Sequence, residues 1–293
     1  MPFYPNLCDS YWWTQTGLNY PAVLTFALFS CFVFGSCFGS FMNVVIWRMP
    51  RRESIVNAPS HCTTCGTDIR WYDNLPIISY LVLRGKCRVC HTPYSPRYLF
   101  LEAAIGVLFM GIFLRIGLSG LPYQLLLPGF CTIFFAVSAS WIDAKHRIIP
   151  DNLNYSFLVI GLILAAVFPT NWQTKIWYIA LIKSLISCLI TTIILATFTF
   201  AGRFIFKKEA LGLGDVKYMA ATAALLGIYA VYFALLIGAI TGSIYGIYTI
   251  IKSKRKANKI AIPFGPFLSL GTMLWIFSAP WCFNFLLKLI GKN

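Results

Sequence analysis

Charge is scarce in this sequence, and acidic charge most of all. Only 11% of the 293 residues are Asp, Glu, Lys or Arg, against 58% hydrophobic, and the mean hydropathy is +0.72. A soluble globular domain carries about a quarter charged residues, so that class is excluded and lipid is the main solvent. Alternating polarity is missing as well. The apolar stretches are continuous, which excludes a β-barrel and leaves helices as the spanning elements. No Lys or Arg precedes the first apolar stretch, and that stretch is longer than the core of a cleavable signal. It is expected to be a retained anchor with its N-terminus outside. No Ser-His-Asp or Cys-His arrangement offers a nucleophile, and no Rossmann-type glycine fingerprint offers a dinucleotide cradle.

What is present is about eight apolar segments long enough to be considered as spans, near 22–47, 99–117, 122–143, 153–169, 176–206, 216–228, 230–251 and 264–290. The expected fold class is therefore an all-α polytopic membrane protein. The sixth segment is short and Ala-rich, which suits a helix that is tilted, sunk or packed inside the bundle. Basic residues alternate between the connecting loops. Loop 48–98 holds eight, 144–152 two, 203–215 three and 252–263 five, so eighteen of the 24 lie on one side. The positive-inside rule makes that side cytoplasmic. The net charge of +15 then follows from topology and calls for no nucleic acid.

Ten cysteines occur. Cys8, Cys31, Cys37, Cys131, Cys188 and Cys282 fall in or near apolar segments and are expected to be small buried hydrophobes. Cys62, Cys65, Cys87 and Cys90 form two C-x2-C pairs separated by 21 residues, within the basic loop. Four thiolates in that pattern can close a tetrahedral structural zinc site, with Gly66 and Gly85 placed for tight turns. Paired disulfides and metal-free thiols are the alternatives, the former disfavoured in a reducing compartment. His61 and His91 flank the pairs and are expected to be solvent-exposed or to lie behind the ligands.

With nine acidic residues in all, each can be weighed. Asp9, Glu53, Asp68, Asp73 and Glu209 fall in loops and are expected to be solvated. Glu102 opens the second apolar segment, where a carboxylate suits the helix dipole. Asp143, in "SWIDAKHRIIPDNLN", and Asp215, in "GLGDVKYMAATAALLG", lie at the edges of apolar helices and on the same side of the membrane. Ionisable groups there are costly, and a functional pair sharing one proton is the leading expectation. Helix capping by Asp215 and an ion pair from Asp143 to Lys145 or Arg147 are the structural alternatives. Gly212 and Gly214 would let the backbone approach closely. Asp151, after Pro150, is expected to cap its helix, with a supporting role at the site as the alternative, and Lys217 is a further supporting candidate.

These motifs together resemble the bacterial type IV prepilin leader peptidases, membrane aspartic enzymes with a G-x-G-D motif. The stretches that carry the likeness are "FGSFMNVVIWRMP", "CTTCGTDIRWYDNLPIISYLVLRGKCRVC", "YSPRYLFLEAAIG", "IDAKHRIIPDNLN", "GLGDVKYMAATAALLG" and "IPFGPFLSLG". The resemblance implies that Asp143 and Asp215 are catalytic, that prepilins and type II secretion pseudopilins are substrates, and that the site faces the cytoplasm at the bacterial inner membrane. It also implies N-methylation of the new N-terminus with S-adenosylmethionine through the cysteine loop. Gly85 and Glu102 are candidates for contacting that cofactor and the amine. Leu99 stands where the family has proline. The expected organisation is an extracytoplasmic segment (1–21), a first span (22–47), a cytoplasmic zinc-binding loop (48–98) and a peptidase bundle (99–293). A cation-coupled transporter and a non-catalytic zinc-bearing assembly factor are the rival functions.

Overall fold

A computed structural model describes residues 16–18, 20–56, 60–206, 211–253 and 263–289. Among these no strand forms, and helices of eight continuous apolar stretches dominate. The described residues up to Leu126 form one compact unit and those from Leu127 a second.

The first unit holds α1 (Pro21–Arg48), the short α2 (Ile78–Val82) and α3 (Arg97–Leu118). Pro21 opens α1, where its missing N–H and fixed φ cost nothing. Gly35 and Gly39 lie one turn apart on the α1 face that meets α3. A Cβ on Gly35 would sit 2.9 Å from the Gly106 Cα, and one on Gly39 2.7 Å from the Glu102 Cα. Small residues at this spacing let two apolar helices bring their backbones together, which in lipid substitutes for a hydrophobic driving force. Pro96 occupies the N-cap position of α3, so Leu99 lies inside the helix and its entry is set three residues earlier.

The second unit holds α4 (Leu126–His146), α5 (Asp151–Val167), α6 (Trp177–Phe206), α7 (Leu213–Leu226), α8 (Ile228–Ser253) and α9 (Gly265–Leu289). At its centre is α7, which packs against α5, α6 and α8. Its 14 residues rise about 21 Å, less than the roughly 30 Å of a hydrocarbon core. Val216 and every residue from Tyr218 to Leu225 are buried, so the helix is apolar all round because protein surrounds it. Small side chains permit this. Gly161 of α5 approaches the Leu225 backbone, and Ser184 of α6 donates to the Ala224 carbonyl at 2.6 Å. Phe135 stacks on Phe157 at 4.6 Å, and Phe157 adjoins the fully buried Tyr218.

Among the described residues five helices are long and apolar enough to cross a membrane: α1, α3, α4, α6 and α8. α5 and the described part of α9 are apolar but shorter. Eight helices thus stand where eight apolar segments are expected, yet they are not eight equal spans. The protein presents apolar side chains outward, including Ile186, Leu189 and Ile193 on α6 and Ile240, Ile244 and Ile247 on α8. Faces of that extent belong in lipid.

Candidate active site

α4 runs through Asp143 to His146 and stops where Arg147 takes a left-handed conformation (φ 57°), its N–H closing on the Asp143 carbonyl at 2.8 Å. Asp143 is therefore in the last turn, with only 6% of its surface exposed. Its Oδ2 accepts the backbone N–H of Gly265 at 2.8 Å, the first residue of α9. A Cβ on Gly265 would lie 2.8 Å from that oxygen and 2.9 Å from the Asp143 Cβ, so only glycine leaves room for the carboxyl. The charge of Arg147 also acts on it.

Asp215 stands in the first turn of α7, three residues after its N-cap, Gly212. Its carboxyl takes a backbone hydrogen bond from Gly212, the side-chain-to-backbone half of a capping box. The capping alternative is therefore real, and Asp215 carries a second relation besides: it lies close enough to Asp143 for the charge of one to act on the other. Gly214 passes Ile149, with its Cβ position 3.4 Å from the Ile149 side chain and carbonyl. The buried Asn154 donates to the Gly214 carbonyl at 3.3 Å, tying α5 to the turn that carries Asp215.

The structure thus brings Asp143, Asp215, Gly212 and Gly214 to one place within one unit. Asp151 is the first residue of α5 rather than its cap. Pro150 holds the cap position with no side-chain bond, and the Asp151 carboxylate instead pairs with Lys217 at 2.6 Å. That pair is largely exposed and links α5 to α7 at the rim, worth at most about 1 kcal/mol. Gly265 and Asn154 are site residues that the sequence reading did not single out. The signal was a glycine isolated in the apolar "IPFGPF", which marks a close backbone approach.

In the first unit the four sulfurs of Cys62, Cys65, Cys87 and Cys90 lie within 4.8 Å of one another. Cys62 to Cys90 is 3.8 Å and Cys65 to Cys87 is 4.0 Å. A tetrahedral ion with sulfur bonds of about 2.3 Å requires sulfurs about 3.8 Å apart, so this donor set fits a metal and no disulfide joins these cysteines. The two knuckles repeat each other. Cys62 and Cys87 each donate their N–H to a threonine carbonyl at 2.9 Å, from Thr67 and Thr92. Backbone N–H groups of Cys90 and Val89 pull the Cys87 thiol down to about 6, and those of Cys65 and Thr64 lower Cys62. Gly66 holds the left-handed turn of the first knuckle (φ 71°), but in the second His91 does (φ 55°). Gly85 lies outside that turn: it has φ 66°, and its Cβ position is 2.8 Å from the Tyr80 ring, so turn and packing both require glycine there. His61 and His91 are exposed and outside the sulfur cluster, as expected.

Several solvated or buried assignments change. Asp73 is clasped by Arg88, with its Oδ2 2.7 Å from Nε, and the guanidinium holds its carboxyl below the usual range. Glu102 is in the second turn of α3 rather than at its start. It is buried and accepts the Ile77 N–H at 2.7 Å, so the helix dipole is not what holds it. Of the scattered cysteines, Cys188 is buried, Cys31 and Cys131 are partly so, and Cys37 is exposed. Asp9, Glu209 and Cys8 lie outside the described residues, as does the Cys282 side chain.

The Bacterial Peptidase A24 N-terminal domain family is matched over residues 33–116, and the Type IV leader peptidase family over residues 130–247. A prepilin leader peptidase/N-methyltransferase of Myxococcus xanthus (strain DK1622) is 34% identical over 87% of this chain and 73% of its own length. Proteins of the same name from Legionella pneumophila and Pseudomonas putida are 32% and 29% identical, each over about nine-tenths of both chains. No solved structure matches. A buried and a half-buried acid on adjoining helix ends, a four-cysteine cluster and similarity along most of its length agree, and the chain belongs to the type IV leader peptidase family.

Proposed function

We propose that this protein cleaves the basic leader from type IV prepilins and from type II secretion pseudopilins at the cytoplasmic face of the bacterial inner membrane, and N-methylates the residue thus exposed. The observation that carries the proposal is the pairing of Asp143 with Asp215. Each carboxyl is oriented by a backbone N–H at a helix N-terminus, from Gly265 and Gly212. Two carboxyls so close share one proton. The ionised one takes a proton from water, which attacks the scissile carbonyl. The protonated one polarises that carbonyl and then protonates the departing amine. Such a substrate has a basic leader in water followed by an apolar helix in lipid, so its cleavage site sits at the boundary. Asp143 and Asp215, at helix ends flanked by Lys145, Arg147 and Lys217, suit that depth.

Cys62, Cys65, Cys87 and Cys90 would hold zinc, which cross-links two halves of a loop that has little core of its own. S-adenosylmethionine supplies the methyl group when bound. In this reading the basic loops are cytoplasmic and the N-terminus is outside, 22–47 is the first span, 48–98 the cytoplasmic domain and 99–293 the peptidase bundle.

The test is incubation of the purified protein in detergent with a prepilin, beside Asp143→Asn and Asp215→Asn. Each substitution is expected to lower cleavage by about a thousandfold or more, read as the loss of the shorter product on a gel. Retained cleavage in either variant would sink the aspartic mechanism, and a transporter or assembly factor would not shorten the substrate at all. Mass spectrometry of the product N-terminus, with S-adenosylmethionine present, should show one added methyl.

A further inference from the structure

The first unit holds an open-mouthed cavity of about 420 Å³ between α1, α3 and the segment around residues 69–80. We propose that this cavity is the chamber of the methyl donor, S-adenosylmethionine, and that Asn43 reads its adenine. The inference rests on the N-methylation reading and adds to it a site and a specificity residue.

Four observations converge on it. The volume lies within the range of small-molecule sites, and the wall mixes aromatic and aliphatic side chains with polar and charged ones, some of them buried. Asn43 is one of those groups. It is 4% exposed, and neither its Oδ1 nor its Nδ2 has a partner. A buried amide with both ends unpaired is destabilising until a ligand supplies an acceptor and a donor together. The edge of adenine offers that combination, an amino N–H beside a ring nitrogen, and asparagine pairs with it through two bonds. A lipid chain would leave both ends unpaired, and a peptide amine offers donors alone.

Glu102 and Arg48, each 8% exposed, stand on the same wall. With the more exposed Glu53 and Asp73 also on the lining, the cavity offers one guanidinium for a ligand's carboxylate and several carboxylates for its ammonium and sulfonium. Trp47, Tyr80 and Tyr98 add aromatic faces suited to a purine and to a cation. The segment that holds Glu102 in the wall is also built under strain. Ile77 donates to Glu102 with its backbone at φ 63° and ψ −53°, while the next N–H closes back on Pro76 at 2.6 Å. A β-branched residue rarely adopts that conformation, and such strain gathers at ligand sites.

Binding of S-adenosylhomocysteine to the purified full-length protein can be measured by calorimetry, with its inosine analogue for comparison. The wild type should prefer the adenosyl compound by about tenfold or more, the discrimination expected of a two-bond pair. Asn43→Leu should bind the adenosyl compound about tenfold more weakly and lose that preference. A merely structural Asn43 would weaken both compounds alike. Ultraviolet cross-linking of labelled S-adenosylmethionine to the unmodified chain needs no variant, and the label should map to peptides spanning 40–48 or 94–102. Label in 211–253, or an unchanged preference in Asn43→Leu, overturns the cavity assignment while methylation stands. A wild type that cleaves prepilin but neither binds nor uses the donor overturns the N-methylation reading itself.

Discussion

At the scale of single residues, Asp143 shows how little freedom a membrane carboxylate is given. Its position comes from α4, but its orientation comes from the Gly265 N–H, 122 residues away in sequence. That glycine has no room for a side chain, since the nearest atoms to a Cβ would be the Asp143 carboxyl itself. Gly265→Ala is therefore expected to push the carboxyl off its line with Asp215. Misplacement of a reacting group by about 1 Å can cost about a hundredfold, so cleavage should fall by about that factor. The overpacking should also lower stability by about 1–3 kcal/mol, read as a lower melting temperature in detergent. Unchanged cleavage would mean that the Asp143 carboxyl is held by something other than this bond. Asn154 acts at one remove, through the Gly214 carbonyl, and belongs to the same support.

At the scale of elements, the two cysteine knuckles are one device used twice, each turning back on itself within six residues. Neither has a core, so the fold of the loop depends on what joins the sulfurs. Cys62→Ser removes one of four ligands and is expected to reduce bound metal to a small fraction of one ion per chain, measured by elemental analysis. Protons compete with metal for thiolates, so acidification of the wild type should release the ion in the same assay. Full metal content in Cys62→Ser, or none in the wild type at neutral pH, would count against a tetrathiolate site. The spacing of the four cysteines was legible in the sequence because ligand pairs must share a tight turn. Which residue takes the left-handed position was not: Gly66 does so in one knuckle and His91 in the other. Histidine tolerates that conformation poorly but not prohibitively, and closure of the turn decides the matter. The short α7 was partly legible in the same way. Its Ala-rich composition announced a helix packed on all sides, but not that α5, which is not its neighbour in the chain, joins the adjacent α6 and α8 in covering it.

At the scale of the whole molecule, the division into two compact units separates the chemistries. The aspartate pair lies wholly in the second, and the cysteine cluster and cavity wholly in the first. In the proposed topology, which rests on the distribution of basic residues, loop 48–98 is cytoplasmic and the turn near 118–121 lies outside. Alkaline phosphatase fused after Ser95 should therefore be inactive in cells and, fused after Gly120, active. The reverse pattern would invert the topology and carry the aspartates to the wrong face.

Composition and order alone determined that this chain is helical and rich in membrane-length apolar segments, which four cysteines come together and which two acids stand at the edges of apolar helices. Each of those follows from local rules: apolar length, ligand spacing, and the cost of placing a carboxylate beside hydrocarbon. Tertiary structure alone decided that Gly265 orients Asp143, that Asp151 pairs with Lys217 instead of capping its helix, and that Asn43 is enclosed without a partner. Those relations join residues distant in sequence. Backbone packing sets them at close range, and no pattern read along one helix contains them.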